Sequence, residues 1–287
     1  MQQIDPAFLR SFLKARPEAS HKGDYGHLLL VCGCESMPGA AVLATGAALK
    51  SGCGLVTLHS TALARQGVAV NFPSAMLSKE PGPCLEVLPE HLERYSAIAA
   101  GPGLGRSGKT AEALAGLLRR AKQAGIPMVL DADALNLLAA QPELLDGIPR
   151  GSVMTPHLGE LRRLVSWESP EEKDAAVFAL CRRSGCVVVC KGFHSEIYTP
   201  AGEKYRNTTG NPGLAKGGSG DVLTGLVSGL LARGYDALQA AALGVWIHGF
   251  AGDALSARCT AEAYNSRDLI EVLYLGFKAL TTCDYCG

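Results

Sequence analysis

The chain has 287 residues, 47% of them hydrophobic and 19% charged, and its 27 basic residues balance its 27 acidic residues. A balanced charge creates no overall field that would attract nucleic acid or an anionic membrane, so neither partner is expected. This length, with this apolar content, predicts one large domain over residues 1–287.

The N-terminal sequence and the cysteines indicate a compartment. The start, MQQIDPAFLRSFLKARPE, lacks the apolar core of a signal peptide, and no apolar stretch has the length of a membrane span. Several of the ten cysteines lie in apolar runs, where they are interpreted as small buried hydrophobes. We therefore expect a reducing, cytoplasmic location. Cys283 and Cys286 have metal or redox spacing but no second pair nearby, so they are interpreted as tail.

Short apolar runs alternate with helical patterns along the chain. This alternation predicts an α/β fold with a mostly parallel central sheet that is covered by helices on both faces. The predicted elements are, in order, a helix to about 15 that begins at Asp5-Pro6, strand 27–33, helix 40–50, strand 55–59, strand 97–100, helix 108–124 capped by Ser107, strand 127–130, helix 134–140, strand 152–155, helical turn 159–165, a helix from Ser169 to 184, strand 186–190, a hairpin of 194–199 with 204–207, and helices 235–257 and 268–280.

Four short motifs directly follow predicted strands: GPGLG at 101–105, DAD at 131–133, TPH at 155–157 and CKG at 190–192. Because ligands bind outside the carboxyl ends of parallel strands, these motifs are candidate site residues. GPGLG either cradles a phosphate or ribose or forms a tight turn. Asp131 and Asp133 either hold a metal ion through water or form an Asx turn with Asp133 capping the next helix; alone, the turn is favoured.

Three further polar residues lie at the same predicted edge. His157 either contacts a polar substrate or serves as a structural hydrogen-bond partner. Glu160, three residues later, is a candidate for a water-mediated contact with Mg²⁺. Lys191 either meets phosphate oxygens or is an ordinary surface lysine. Their occurrence at one edge of one sheet favours functional roles.

A glycine-rich loop leads into an apolar helix in the stretch 207–234, NTTGNPGLAKGGSGDVLTGLVSGLLARG. Glycines let a ligand approach the backbone N–H groups closely, and a helix N-terminus stabilises an anion, usually phosphate. From Val222 onward the apolar residues recur on one helical face, and Gly234 is a candidate C-cap. The loop glycines concerned are Gly213, Gly217, Gly218 and Gly220.

One carboxylate, Asp221, lies where this loop meets the helix. A carboxylate beside a bound phosphate is repelled, so its presence predicts chemistry: a base that takes a proton from an attacking hydroxyl. The alternative is a glycine-rich turn in which Asp221 is an ordinary N-cap. The four glycines together with Lys216 and Thr224 favour the phosphate site.

Taken together, the motifs resemble those of the ADP- or ATP-dependent NAD(P)H-hydrate dehydratases, a ribokinase-like family. TGNPGLAKGGSGDVLTG and HKGDYG occurring jointly are specific to that family rather than to sugar kinases in general. The motifs that carry the resemblance, in order over nearly the whole chain, are SHKGDYGHLLLVCG, MPGAAVLATGAALKSGCGLVTLH, GPGLG, VLDADALNLL, TPHLGE, VVVCKG and NTTGNPGLAKGGSGDVLTGLVSGLLARG.

The resemblance implies a repair enzyme that removes water from hydrated NADH or NADPH at the expense of ADP or ATP, with Mg²⁺ as the phosphate counter-ion. It implies a homo-oligomer, a tetramer. By the same resemblance, the hydrated dinucleotide is lined by Ala40, Gly103, His157 and Asp221, with Asp221 as the catalytic base. The adenine nucleotide is contacted by Lys191, Gly192, Phe193, His194, Ser195 and Gly220, and the amides of Gly217, Gly218, Ser219 and Gly220 stabilise the transferring phosphoryl group.

The chain departs from the family pattern in two places. Leu158 replaces the proline of TPHPGE, which we expect only to loosen a turn. Ser74 lies where the family usually has a glutamate, so a carboxylate is missing there. The N-terminal epimerase domain that the family often carries is also absent from this sequence.

Two other functions stay open at this point. One is a small-molecule kinase of the same fold for a thiazole or pyrimidine alcohol, in which the phosphate stays on the product. The other is a nucleotide-binding regulator without chemistry. The sequence does not decide between ADP and ATP, or between NADH and NADPH hydrates.

Overall fold

The computed structural model describes residues 1–281. The predicted tail cysteines Cys283 and Cys286 lie outside this range. The strands are Gln2–Ile4 (β1), His27–Val31 (β2), Leu55–Ser60 (β3), Met76–Lys79 (β4), Ala97–Ala100 (β5), Met128–Leu130 (β6), Val153–Met154 (β7), Val187–Cys190 (β8), Glu196–Tyr198 (β9) and Lys204–Asn207 (β10). The helices are Pro6–Arg10 (α1), Pro38–Lys50 (α2), Ala62–Asn71 (α3), Gly108–Ala124 (α4), Ala132–Ala140 (α5), Leu158–Leu164 (α6), Pro170–Ser184 (α7), Ser219–Ala232 (α8), Ala237–Ala263 (α9) and Ser266–Thr281 (α10).

All ten strands form one sheet in the order β1-β10-β9-β8-β7-β6-β5-β2-β3-β4. Every neighbouring pair is parallel except the two that involve β9, the first strand of the predicted hairpin. The carboxyl ends of β5, β6, β7 and β8 therefore lie side by side. This arrangement brings the motifs GPGLG, DAD, TPH and CKG to one edge of the sheet.

Successive side chains of the central strands point to opposite faces of the sheet, and a hydrophobic core forms on each face. In β2, Leu28 and Leu30 pack in the core with α2, α8, α9 and α10. Leu29 and Val31 point to the opposite core, with α4, α5 and α7. Helices thus cover both faces, and the predicted α/β class with a mostly parallel sheet is confirmed.

Helices α2 and α8 pack with their backbones in close contact. A Cβ added at Gly225 of α8 would lie 2.1 Å from the carbonyl oxygen of Ala44, and one at Gly229 would lie 2.0 Å from Ser51 Oγ. Because no side chain separates the two helices there, their N-terminal ends are held close together beside the sheet edge.

The structure corrects three expectations about the elements. The first helix ends at Arg10 rather than near residue 15, because the chain turns there and the Lys14 N–H donates to Tyr235 Oη at 3.2 Å. Helix α3 was not predicted; it buries only Ala64 and Val68. Strands β1 and β4 were not predicted either, because they are short edge strands with one paired neighbour each.

Within residues 1–281, no helix combines the length and the hydropathy that crossing a bilayer requires.

Candidate functional site

A cavity of about 910 Å³ opens at the carboxyl ends of β6, β7 and β8, next to the N-terminus of α8. Its walls combine the DAD and CKG motifs, the start of α6 and the glycine-rich loop before α8. The volume is that of a site for a sizeable small molecule. The motifs DAD, TPH and CKG therefore share one cavity, whereas no residue of GPGLG is part of its lining.

The glycine-rich loop enters α8 through Gly218, whose φ of 86° is favourable only for glycine among common residues. Ser219, Gly220 and Asp221 form the first turn of α8 and line the cavity. The first N–H groups of a helix have no intrahelical partner and lie at the positive end of its dipole. The cavity thus has a candidate anion-binding wall made of backbone amides, of which the Ser219 N–H already donates to the Lys216 carbonyl at 3.3 Å.

A buried carboxylate, Asp131 at the end of β6, connects this wall to the neighbouring strand. Asp131 Oδ1 accepts from Lys191 Nζ at 2.6 Å, and Oδ2 accepts from Thr224 Oγ1 at 2.7 Å. The Asp131 side chain is only 2% exposed, whereas 19% of the Lys191 side chain reaches the cavity. Asp131 therefore holds two residues in one arrangement: Lys191, which directly follows β8, and Thr224 of α8.

Close packing makes this arrangement possible. A Cβ at Gly101, in GPGLG, would lie 1.8 Å from the carbonyl oxygen of Asp131. Gly105, in the same motif, donates its N–H to Asp133 Oδ2 at 2.9 Å. Asp133 therefore binds the neighbouring loop, and the expectation that it caps the next helix was wrong; Asp131 occupies the N-cap position of α5. In this structure GPGLG acts as a turn that accommodates the DAD motif.

Asp221, the predicted base, lines the cavity in the first turn of α8. Burial raises the pKa of the Asp221 carboxyl to about 7, with the negative charge of Asp131 raising it further and the Lys191 ammonium opposing the shift. A carboxyl with a pKa near 7 is suited to take a proton at neutral pH. Gly218, not Asp221, is the N-cap of α8, so the N-cap alternative for Asp221 was wrong.

His157 and Glu160 form a capping box at the start of α6. His157 Nδ1 accepts from the Gly159 and Glu160 N–H groups at 2.9 and 3.3 Å, and Glu160 Oε2 accepts from the His157 N–H at 2.9 Å. Glu160 Oε2 also lies 3.8 Å from Lys191 Nζ. Both residues line the cavity, so His157 and Glu160 cap α6 and are also placed to contact a ligand.

Lys191, Gly192, Phe193 and Ser195 line the cavity on the β8 side. Phe193 is 63% exposed, so its large, flat, apolar ring is available to a ligand. His194 is not among the lining residues, and its Nδ1 is buried without a hydrogen-bond partner.

Of the other predicted site residues, Gly218, Ser219 and Gly220 line the cavity, whereas Ala40, Gly103 and Gly217 do not. Ala40 and Gly103 are neighbours, since a Cβ at Gly103 would lie 2.9 Å from Ala40 Cβ. The structure thus brings the predicted nucleotide residues together around one cavity, with the exception of His194 and Gly217, and places the Ala40 and Gly103 pair outside its lining.

His248 is a cavity residue that the sequence analysis did not select. This residue of α9 is buried at the cavity wall, and burial lowers the pKa of its imidazole to about 4, so the ring is neutral at pH 7. His248 Nε2 lies 3.0 Å from the Ser219 carbonyl oxygen and must carry the proton there, since a carbonyl only accepts. His248 therefore holds the first residue of α8 from the side. No local pattern marks such a contact.

The mostly parallel sheet, the amide wall at its carboxyl edge and the adjacent carboxylate define an α/β protein of the ribokinase-like class, and solved structures of that superfamily share the architecture. A family model described as NAD(P)H-hydrate dehydratase matches residues 28–274. The chain belongs to this family, which confirms the resemblance drawn from the motifs.

Three relatives show how far the similarity extends. The chain is 38% identical to a bifunctional NAD(P)H-hydrate repair enzyme of Moorella thermoacetica, covering 94% of this chain and 52% of that protein. It is 37% identical to an ADP-dependent (S)-NAD(P)H-hydrate dehydratase of Neisseria meningitidis, covering 84% of this chain and 81% of that protein. The ADP/ATP-dependent NAD(P)H-hydrate dehydratase of Bacillus subtilis, crystallised with ATP and Mg²⁺, superimposes with a TM-score of 0.83 at 28% identity, covering 97% and 98% of the two chains. The chain spans about half the length of the bifunctional relatives it matches.

Proposed function

We propose that the chain is a nucleotide-dependent dehydratase that converts the S epimer of hydrated NADH or NADPH back to the reduced coenzyme. The observation that carries the proposal is Asp221, a carboxyl with a raised pKa in the first turn of α8, beside a wall of backbone amides. Membership of the NAD(P)H-hydrate dehydratase family supports it.

The proposed chemistry uses both parts of this site. Asp221 takes the proton of the hydroxyl on the hydrated ring, and the hydroxyl oxygen attacks the terminal phosphoryl group of the nucleotide. The amides of Gly218, Ser219 and Gly220 stabilise the charge on the phosphoryl oxygens during transfer. The nucleotide leaves with one phosphate fewer. The ring nitrogen lone pair then expels phosphate and leaves an iminium ion, and loss of a proton from the adjacent ring carbon restores the reduced nicotinamide.

We propose that the adenine nucleotide lies along the β8 side of the cavity, on the residues Lys191 to Ser195, with its phosphates at the start of α8. Lys191 is fixed by Asp131 close to this point, which supports the assignment. We propose that Ala40, Gly103 and His157 contact the hydrated dinucleotide. Of these, His157 shares the cavity with Asp221.

Mg²⁺ is proposed as the counter-ion of the nucleotide phosphates. The described residues contain no cluster of three or more His, Cys, Asp or Glu side chains that could hold a metal ion alone. Glu160 is a cavity-lining carboxylate, and its oxygens are already engaged with His157. These residues fit an ion that is bound mainly by phosphates and water, with Glu160 as a water-mediated partner.

A cytoplasmic location and a homotetrameric assembly are part of the proposal. All eight cysteines in the described part of the chain are free thiols, which supports a reducing compartment. The assembly follows from the resemblance to the family.

Hydrated NADH, supplied with ADP or with ATP, tests the proposed reaction. Reappearance of the reduced-nicotinamide absorbance supports the dehydratase. A stable phosphorylated alcohol without that absorbance indicates a kinase instead, and nucleotide binding without turnover indicates a regulator. Running the assay with each nucleotide also identifies the preferred phosphoryl donor.

The variant Asp221→Asn tests the base. We expect turnover to fall by at least about 10²-fold, because the amide cannot take the proton. Nucleotide binding is expected to survive, since the backbone amides remain. An active Asp221→Asn protein contradicts the base assignment.

A further inference from the structure

The ammonium group of Lys216, in the glycine-rich loop, is fully engaged with backbone carbonyls. Lys216 Nζ donates to the oxygens of Ala261, Glu262 and Tyr264 at 2.7, 3.0 and 2.6 Å. A lysine ammonium has three N–H donors and no acceptor. These three bonds use all of its donors, so none is left for a phosphate. From the sequence alone, Lys216 favoured a phosphate site at this loop.

The three carbonyls belong to the C-terminal end of α9 and the residues just after it. The helix ends at Ala263, and Thr260 interrupts it with a φ of 72°. The last carbonyls of a helix lack intrahelical partners and carry the negative end of its dipole, so a cation is stabilised there. The same ammonium lies 4.6 Å from the centre of the Tyr264 ring.

Other contacts attach the loop to α9 and α10. Asp253 of α9 accepts from the Gly210 N–H at 2.9 Å and from Asn211 Nδ2 at 3.0 Å. Ser266 of α10 donates its hydroxyl to the Gly217 carbonyl at 2.7 Å. The loop is thus held at its beginning, at Lys216 and immediately before α8.

Little space remains for the loop to move. A Cβ at Gly218 would lie 2.4 Å from Leu43 Cδ1 of α2 and 3.1 Å from Ser266 Oγ. The loop is therefore enclosed by α2 on one side and by the α9 and α10 attachments on the other. It reaches α8 in one conformation, the one that presents Ser219 and Gly220 to the cavity.

We infer that Lys216 is a positioning residue: it holds the amides of the glycine-rich loop at the cavity through the carbonyls of α9, and it does not contact the nucleotide phosphates. The inference rests on the proposed function, which assigns a nucleotide to this loop. The arrangement itself is present in the ligand-free chain, so it can be tested without turnover.

The test compares Lys216→Met with Lys14→Met as a matched control. Lys14 likewise donates to a backbone carbonyl, that of Gly234, and lies over a tyrosine ring, but at the opposite end of α8. For each protein we would measure the Kd of the adenine nucleotide that the wild-type chain binds more tightly, the Kd of adenosine, and amide hydrogen exchange of the ligand-free chain.

In Lys216→Met we expect the nucleotide Kd to rise by about tenfold or more, because charge-assisted hydrogen bonds are lost. The adenosine Kd is expected to be unchanged, since the β8 side of the cavity is untouched. Exchange should accelerate in peptides that cover 260–266 and the loop 210–218. Lys14→Met should change none of these three quantities.

Two further variants test the cation itself. Lys216→Arg keeps charge and donors and is expected to recover most of the nucleotide affinity. Lys216→Ala leaves three carbonyls that an added alkylammonium ion can occupy, so ethylammonium at high millimolar concentration should lower its nucleotide Kd and slow the exchange of 260–266. The wild-type chain should not respond to ethylammonium.

Three outcomes overturn the inference. A weaker nucleotide Kd with unchanged exchange in the ligand-free chain means that Lys216 contacts phosphate directly. Faster exchange with an unchanged nucleotide Kd means that its role is only structural. Equal losses for nucleotide and adenosine also overturn it, since the effect is then not specific to the phosphate loop. Failure of the wild-type chain to dehydrate hydrated NADH would instead count against the proposed function, and the binding and exchange results would still decide the role of Lys216.

Discussion

At the residue scale, burial and two neighbouring charged groups, Asp131 and Lys191, determine the protonation state of the proposed base. Asp221 and Asp131 are both acidic and close enough for their charges to interact, and Lys191 neutralises only one of them directly. Two carboxylates near each other do not ionise independently, so the less compensated one has the higher pKa. Lys191 binds Asp131 at 2.6 Å, and Asp221 is the group whose pKa is raised.

This arrangement predicts the pH dependence of the reaction. Because Asp221 must be ionised to take a proton and its pKa is about 7, the activity of the wild-type chain should fall as pH decreases through about 7. Replacing Asp131 with Asn removes the like charge and frees Lys191, and both changes lower the pKa of Asp221. The acid limb of the pH profile of kcat/KM should therefore move to lower pH, by about one unit.

Thr224→Val is the control for this prediction. It removes the hydroxyl that donates to Asp131 Oδ2 but leaves both carboxylates and Lys191 in place. We expect a lower kcat, and we expect the acid limb of the pH profile of kcat/KM to stay at the wild-type pH. An unchanged limb in Asp131→Asn would show that Asp131 has no electrostatic effect on the base.

At the element scale, the contact between α2 and α8 predicts a strong sensitivity to volume. Gly225→Ala would place a methyl group 2.1 Å from the Ala44 carbonyl oxygen, so the two helices must separate. Such overpacking typically costs about 1–3 kcal/mol of unfolding free energy. We expect chemical denaturation to show a loss in this range.

Gly108→Ala is the matched helix substitution, since no atom lies within 4 Å of a Cβ at that position in α4. It should be neutral or slightly stabilising, because alanine has the higher helix propensity. If both variants unfold at the same denaturant concentration, the helix contact is looser than the structure describes.

Sequence patterns predicted helix caps and element bounds well where these depend on residues that are neighbours in the chain. The caps Ser107 and Ser169 both accept hydrogen bonds from the third residue of their helices, and the bounds of α4 and β5 agree with the prediction. Asp131 was instead assigned to a turn. Its partners Lys191 and Thr224 lie 60 and 93 positions away, and no pattern within one sequence pairs residues at such separations.

The same limit applies to Lys216. From the sequence, a lysine in a glycine-rich loop before a helix indicates phosphate binding. Its partners lie 45 to 48 residues later, at the end of α9, and become visible only when that helix packs beside the loop. The candidate base could be predicted because Asp221 and the glycines that surround it are consecutive.

At the scale of the whole molecule, the N-terminal strand β1 forms one edge of the sheet, beside the last strand in the chain, β10. β1 pairs with β10, so residues 2–4 depend on residues 205–207 for their hydrogen bonds. We therefore infer that residues 1–281 unfold as one unit and form the single domain that the length indicated. Thermal unfolding should show one cooperative transition.

The preferred nucleotide should shift that transition upward. A ligand at 100 times its Kd stabilises the folded state by about 2.7 kcal/mol, which raises the Tm of a chain of this size by several degrees. Calorimetry with and without nucleotide measures the shift. Two transitions, of which only one responds, would contradict a single domain.

The glycine contact between α2 and α8 also limits how this protein can move. Ala40 lies near the start of α2 and Asp221 near the start of α8, and the two helices are in close contact at Gly225 and Gly229. The proposed base and this part of the proposed dinucleotide wall consequently travel as one rigid body. The spacing between the base and this part of the proposed wall is then set when the chain folds rather than when substrate arrives.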